Sequence, residues 1–589
     1  MTVTAIAASM LLLFQAGRGS IEGVVVDSLT NRPIAGAQVA ATRMPVAPGP
    51  PGTAQGTTTA VLPPSIITAA AGGVIVGANG PLGQIVQIAP AKTDKNGNFA
   101  FHDLEPGTYQ LRATADGYAQ QEYGPQPAGR TSLFATVNLG DGEAAKGTVF
   151  RLTPGGTVSG RVTGSSGEPL VNIEVSLYRS GYDPNGRKTL QQSGSAQTND
   201  RGEYRIFWVT PGRYYLSAVS SNRPMPGGPF NPQSLNNKYP RTFYPSTRDA
   251  VAAVAIDIQP ASEIPGMDFR LNEQATYHVR GRIVDPNSGQ SPPRGVSITL
   301  MPTDSIVQNA ALFSFGNPYN PTTGTFDVPD VPAGSYMIRA QLPLNVRPEP
   351  GQPMPTPPMA MAAVDVGTAD VDGVNLTFLP PASISGRIRI EGSPSPQNLR
   401  ASVLLRPAML GMAFPPRPAQ VDASGNFTIT GVAPGEYQVT ANGSTGQGGL
   451  YVKEIRFGAV DVLTHPLIIE GPAVDTMEVV FSSGTGQISG IVHGDSQQSL
   501  PRVQVVLIPN QRDRHDLYRI TSSDANGHFV LRSVPPGSYK LFAFEGIEQF
   551  SWFDDSVLAR YETQGIPTTV NVSSDVTLDV RMIPASTRR

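Results

Sequence analysis

The chain has 589 residues, with 43 Lys and Arg against 46 Asp and Glu. A formal net charge of −3 leaves no basic field for nucleic acid. It has no cysteine, which excludes disulfides, thiol catalysis and thiolate metal sites. Its 62 glycines and 56 prolines make up about a fifth of the residues and only 15% are charged, a balance that favours short strands joined by turns over helices.

In chain order, Ala5 to Phe14 is apolar apart from Ser9, and Ala16-Gly17 follows. This pattern predicts a signal peptide over 1–17 and hence an exported protein, periplasmic, cell-surface or secreted. No later run approaches the ~20 apolar residues of a membrane span.

From there the same order of elements is written five times. Each copy opens on a glycine-centred strand, at Gly23, Gly160, Gly281, Gly386 and Gly490. A polar turn and a second strand follow, for example Pro33 to Val39 and Pro169 to Leu177. Then comes the most regular stretch, Gly97 to Ala113, which recurs at Gly202, Gly324, Gly425 and Gly527. In every copy an aromatic follows the first glycine by two residues, a second glycine by ten and a tyrosine by twelve. Beyond the second glycine, Tyr109, Leu111 and Ala113 alternate with Gln110, Arg112 and Thr114, the period of a strand with one buried face. Pro106-Gly107 predicts a type II turn, Gly accepting the positive φ of its second corner. The unit reads as a β-hairpin whose tyrosine begins the return strand. Two further strands close each copy.

Six or seven short strands per ~100 residues predict an all-β chain of tandem antiparallel β-sandwiches. The expected modules are 18–155, 156–273, 274–381, 382–484 and 485–589. The opening glycine lies 37 to 43 residues before the repeat glycine in modules two to five, but 74 before it in module one. The excess is an insertion over 44–90, a long loop or an extra hairpin. Loops 222–240 and 343–361 are also long, and module five diverges at Phe550 to Asp555, which leads into an expected short helix at Ser556 to Thr563.

These residues resemble the carboxypeptidase regulatory-like domain, a transthyretin-like (prealbumin-type) β-sandwich. Module one carries the pattern most fully, in Gly23, Pro33-Ile34-Ala35-Gly36-Ala37, Asp94 to Phe99, Pro106-Gly107-Thr108-Tyr109 and Asp116-Gly117-Tyr118. The resemblance implies a five-module transthyretin-like chain that is an accessory to a peptidase, transporter or adhesin. The superfamily includes carbohydrate-binding modules. A related adhesin type forms isopeptide bonds from a first-strand lysine, which all five first strands here lack.

Chemistry is sparse. His102-Asp103-Leu104-Glu105 has the His-x-x-Glu spacing of zinc carboxypeptidases, but the other four copies lack both residues, and a catalytic zinc needs three convergent ligands. Asp94 to Gly97 and Asp524 to Gly527 look like fragments of calcium loops, yet Asp or Asn before Gly is ordinary turn chemistry. Trp208, at a repeat tip, and Trp552, in the divergent last loop, are either stacking surfaces for sugar rings or packing at the sandwich rim. No catalytic residue, metal or cofactor is expected. The sequence points to a non-catalytic exported binding or scaffold protein, for which polysaccharide is a candidate ligand. The alternative is a spacer or accessory subunit of an envelope transport or peptidase system, with another envelope protein as partner.

Overall fold

The structure is a computed structural model. It describes residues 17–585 except 45–73, 78–79, 85, 124–135, 221–237, 285–294, 304–305, 308–312, 315–317, 343–355, 392–398, 409–415, 446–447 and 472–474. The segment 1–16, most of the insertion and most of the loops 222–240 and 343–361 therefore lie outside the described residues. By compactness the chain divides into two units. One comprises Met1–Ser159, Arg205–Gly212 and Asp257–Pro265; the other comprises Gly160–Tyr204, Arg213–Ile256 and Gly266–Arg589.

The chain is all-β; modules one to four are each built on two sheets, and in module five Val580–Ile583 joins the two into one eight-stranded sheet. Module four illustrates the plan. Its first sheet runs in the order Asn426–Val432, Ala382–Ile390, Met477–Ser482 and Tyr451–Phe457, with Val460–Asp461 at the edge. Its second sheet centres on Arg400–Pro407 and Gly435–Thr445. The inward positions of both sheets, among them Ile384, Ile388, Val403, Leu405, Phe427, Ile429, Tyr437 and Val439, form one buried cluster. Period-two strands facing each other across a core are the expected solution for such a sequence.

Two features differ from the sequence expectation. The sheets are not purely antiparallel. In every module the opening strand runs parallel to a closing strand: Gly19–Asp27 with Ala144–Leu152, and Ala382–Ile390 with Met477–Ser482. The same parallel pairing occurs in modules two, three and five. A connection that leaves one sheet, crosses to the other and returns makes such pairing possible.

The second correction concerns the repeat itself. The strands on either side of the Pro-Gly step do not pair with each other. Asn98–Leu104 joins Gly19–Asp27 in one sheet, while Gly107–Thr114 joins Gln38–Met44 in the other. In the other modules too the two strands do not pair with each other. In modules two to four they lie in separate sheets, and in module five they lie apart in one eight-stranded sheet joined through Val580–Ile583, so the repeat is a corner and not a hairpin. Its turn is not type II. The second glycine has φ of 157, 153, 158, 148 and 159° in the five copies, far from the ~+80° of a type II corner. The left-handed residue lies four places earlier, at Asp103, Trp208, Asp330, Gly431 and Ser533, with φ of 52 to 71°.

The tyrosine fixes this corner. Its ring is buried, and in modules one, three, four and five its hydroxyl donates to the carbonyl four residues back. The pairs are Tyr109 to Glu105 O at 2.7 Å, Tyr336 to Pro332 O at 3.0 Å, Tyr437 to Ala433 O at 2.7 Å and Tyr539 to Pro535 O at 2.8 Å. Burial pushes the Tyr437 and Tyr539 hydroxyls up to about 12, so they remain donors at any ordinary pH. The hydroxyl thus reaches the rim and spans the corner, much as the tyrosine corner does in immunoglobulin-type sandwiches.

The opening glycines have a packing reason. A Cβ at Gly386 would lie 2.3 Å from the Phe427 ring and 2.6 Å from Met477 O. Gly386 pairs directly opposite Phe427, as Gly23 pairs with Phe99, Gly281 with Phe326 and Gly490 with Phe529. The repeat aromatic lies across a strand that has no side chain at that point, so the two positions are one structural device.

Within the insertion Val74–Gly77 pairs antiparallel with Gly80–Gln84, and Val86–Lys92 then adds to the second sheet beside Gln38–Met44. In module five, Val506, Ile508, Phe542 and Phe544 bury the outer face of the second sheet beneath Ile547, Trp552 and Leu558. The covering segment is Ser551–Phe553, the one-turn helix Asp555–Leu558 and Glu562–Gln564. The strand Tyr539 to Phe544 is accordingly apolar on both faces from Leu541 onward.

Candidate binding surface

The corner brings two adjacent side chains to the surface. In a regular strand neighbours point to opposite faces. In Asn98–Leu104 and Glu203–Val209 burial alternates for four residues and then two exposed residues stand together. The left-handed residue breaks the alternation and turns both side chains outward. In module one the pair is His102 and Asp103; in module two it is Phe207 and Trp208.

Trp208 has φ of 54°, and its side chain stands half exposed, at 50%. Phe207 is equally open at 55%, its ring centroid 6.5 Å from that of Trp208 with planes tilted by 52°. The Arg205 guanidinium lies 5.0 Å over the Phe207 ring and donates from Nη2 to Glu263 Oε1 at 3.0 Å. The patch therefore offers two aromatic faces beside a cation and a carboxylate. Its backbone is held from below: a Cβ at Gly155 would lie 2.5 Å from the Trp208 Cα, and Gly155 N donates to Gly117 O at 2.9 Å.

Left-handed backbone costs an L-residue about 1–2 kcal/mol, less for Asp and nothing for Gly. Asp, Asp, Gly and Ser occupy the equivalent positions of the other modules. Trp gains none of that local relief, so a strained, bulky and exposed residue is kept where small polar ones suffice.

The other sequence candidates resolve differently. Trp552 is 2% exposed inside the module-five cluster, and its indole N–H finds no acceptor among the described residues. Its ring serves as packing and is closed to a surface ligand, because the segment 548–564 folds it down onto Phe542 and Phe544. His102 is exposed, and Glu105 ion-pairs with Arg43, whose Nη2 also donates to Pro106 O at 2.8 Å. Among the described residues no three His, Asp or Glu side chains gather around a point.

The Asp–Gly segments are turns. Asp94 Oδ1 accepts from Asn96 N and Asn98 N, both at 2.8 Å, and the carboxyl is held below its ordinary value chiefly by the Asn98 N–H. Asp422 and Asp524 repeat the geometry. In module two Asn199 makes the same two bonds, so the turn needs an oxygen and no charge. Beside these turns sits a buried hydroxyl that the repeat pattern did not single out. Thr93 donates to Ile34 O and accepts from Ala37 N, and Thr198 and Ser523 do the same in their modules. The dipeptides Thr93-Asp94, Thr198-Asn199 and Ser523-Asp524 were its trace in the sequence.

Residues 66–150 match the family model of the carboxypeptidase regulatory-like domain. The match takes in the corner of module one and begins within the insertion, past the first two strands. Colossin-A of Dictyostelium discoideum is 24% identical over 390 residues, 60% of this chain. That stretch spans 3% of the relative's length. Among solved structures, the minor pilin GBS52 of Streptococcus agalactiae is similar at 13% identity and a TM-score of 0.20, over 44% of this chain and 97% of that one. Two B repeat units of the collagen binding protein of Staphylococcus aureus match at 11% identity and a TM-score of 0.12, over 80% and 100% of the two chains. Backbones with such scores do not superpose as wholes, and the fold rests on the strand pairing described above.

Proposed function

We propose that this chain is a non-catalytic, exported scaffold of β-sandwich modules that binds carbohydrate at the Phe207–Trp208 tip. The observation that supports this reading is the exposed tryptophan held in left-handed backbone, beside a second exposed ring and the Arg205–Glu263 pair. Flat aromatic faces stack on the apolar face of a sugar ring, and a flanking cation and carboxylate suit its hydroxyls. We take the modules to run 18–155, 156–273, 274–381, 382–484 and 485–589, with a signal peptide before them and the protein at the cell envelope or outside it. No helix among the described residues is long and apolar enough to cross a membrane.

A glycan array probed with the purified chain tests the reading. Wild type is expected to bind a subset of polysaccharides, and Trp208→Ala to lose them by tenfold or more. An array with no binder, or a Trp208→Ala variant that binds like wild type, would remove the carbohydrate reading.

A second reading, a spacer or accessory subunit of an envelope machine, is favoured by the contacts among modules two to five within one compact unit. Recovery of a stoichiometric envelope protein with a Trp208→Ala chain would support it. A peptidase using His102 and Glu105 has less in its favour, because Glu105 is already paired with Arg43.

A further inference from the structure

The strand Ile173–Tyr182 turns into Lys188–Gln197 through Asp183 to Arg187. Asp183 is 3% exposed, and its Oδ1 accepts from Asn185 N at 2.9 Å and Arg187 N at 2.8 Å. This is the same Asx turn that the repeats use, but here it is buried. At its tip Gly186, φ 78°, lies so close to module five that a Cβ would stand 2.4 Å from the Phe553 Cβ. One residue on, Arg187 Nη1 donates to Ala408 O of module four at 3.0 Å. A single five-residue turn therefore touches two other modules.

Phe553 is in turn stacked on His515, centroids 4.2 Å apart and planes 23° apart, with Tyr518 edge-on to both rings. The charged groups facing His515 are Asp513 and Asp516 on its own segment, Arg406 from the module-four strand Arg400–Pro407, and Asp183 from the turn. Asp516 is committed to Arg514, which holds it through Nε at 2.7 Å and Nη2 at 2.8 Å. Arg514 Nη2 also donates to Val452 O of module four at 3.1 Å. A proton on His515 is opposed first by desolvation in this partly buried, aromatic site and also by Arg406, and is favoured by Asp516, Asp513 and Asp183.

We propose that the Asp183–Arg187 turn is a latch that holds modules two, four and five together, and that a proton taken up by His515 releases it. Burial is the largest influence on His515 and pulls its pKa below the ordinary imidazole value. An imidazole whose value is lower when docked than when free takes its proton more readily in the undocked state. Docking is then fully favoured above about pH 6.5 and is lost as pH falls through that value and the lower docked one.

The absence of native cysteine lets two spin labels be placed at will. With labels at Ser193→Cys and Ser496→Cys, both exposed positions, pulsed dipolar spectroscopy reads the spacing of modules two and five. Wild type should give one narrow distance at pH 7.5 and a broad distribution at pH 5.5. His515→Phe, which keeps the ring stack and cannot take the proton, should stay narrow at both. Phe553→Ala should be broad at both. A wild type that stays narrow at pH 5.5, or a His515→Phe chain that broadens like wild type, overturns the proton-driven release. A Phe553→Ala chain that stays narrow overturns the latch itself.

Discussion

Gly386 shows how much one hydrogen atom in place of a side chain can decide. Its missing Cβ is the space that Phe427 occupies from the opposite strand, with Met477 O closing the other side. Gly386→Ala is expected to destabilise its module by about 1–3 kcal/mol, the usual range for overpacking, as read by urea denaturation. By contrast, Asp422→Asn should leave stability within about 0.5 kcal/mol, because Asn199 already performs the same turn with a neutral oxygen. A large loss in that variant would mean the carboxylate charge matters, and would reopen the calcium reading. The sequence displayed both residues as repeated, yet repetition alone could not say that one excludes a methyl group and the other only needs an acceptor.

The corner is the element on which the modules turn. Its aromatic, glycine and tyrosine were legible in the sequence, as was the buried face of Tyr437, Val439 and Ala441. Its pairing was not. A hairpin and a crossover share period-two alternation and a Pro-Gly step, and they differ only in which distant strands receive their hydrogen bonds. Local residues carry no trace of that choice: Asn426–Val432 pairs with residues some forty positions earlier, as does Gly435–Thr445. The left-handed residue was also hidden, because it is Asp in two copies, Asp103 and Asp330, and Trp208, Gly431 and Ser533 in the other three. Tyr437→Phe tests the corner directly. It should cost about 1 kcal/mol or somewhat more, since the Ala433 carbonyl loses its partner while the ring still fills the core. A variant as stable as wild type would show that the hydroxyl contributes nothing to the turn.

Across the whole molecule the repeat accounts for the fold and leaves the function elsewhere. Where all five copies agree, the positions are an opening glycine, a core aromatic, a corner glycine and a corner tyrosine, each with a packing or hydrogen-bonding reason. Where they differ, at the two outward positions before the Pro-Gly step, module two places Phe207 and Trp208. The sequence drew attention to both tryptophans alike. Composition could not tell them apart, because the covering of Trp552 depends on the outer face of a sheet that only module five buries. Trp208→Gly tests the proposed role of this tip most directly, with carbohydrate binding and denaturant stability measured on the same preparation. Glycine relieves the left-handed strain, so stability should be unchanged or higher by up to ~1–2 kcal/mol, while binding falls tenfold or more. Binding retained at wild-type strength would contradict the account, because a strained, exposed tryptophan would then have no ligand to explain it.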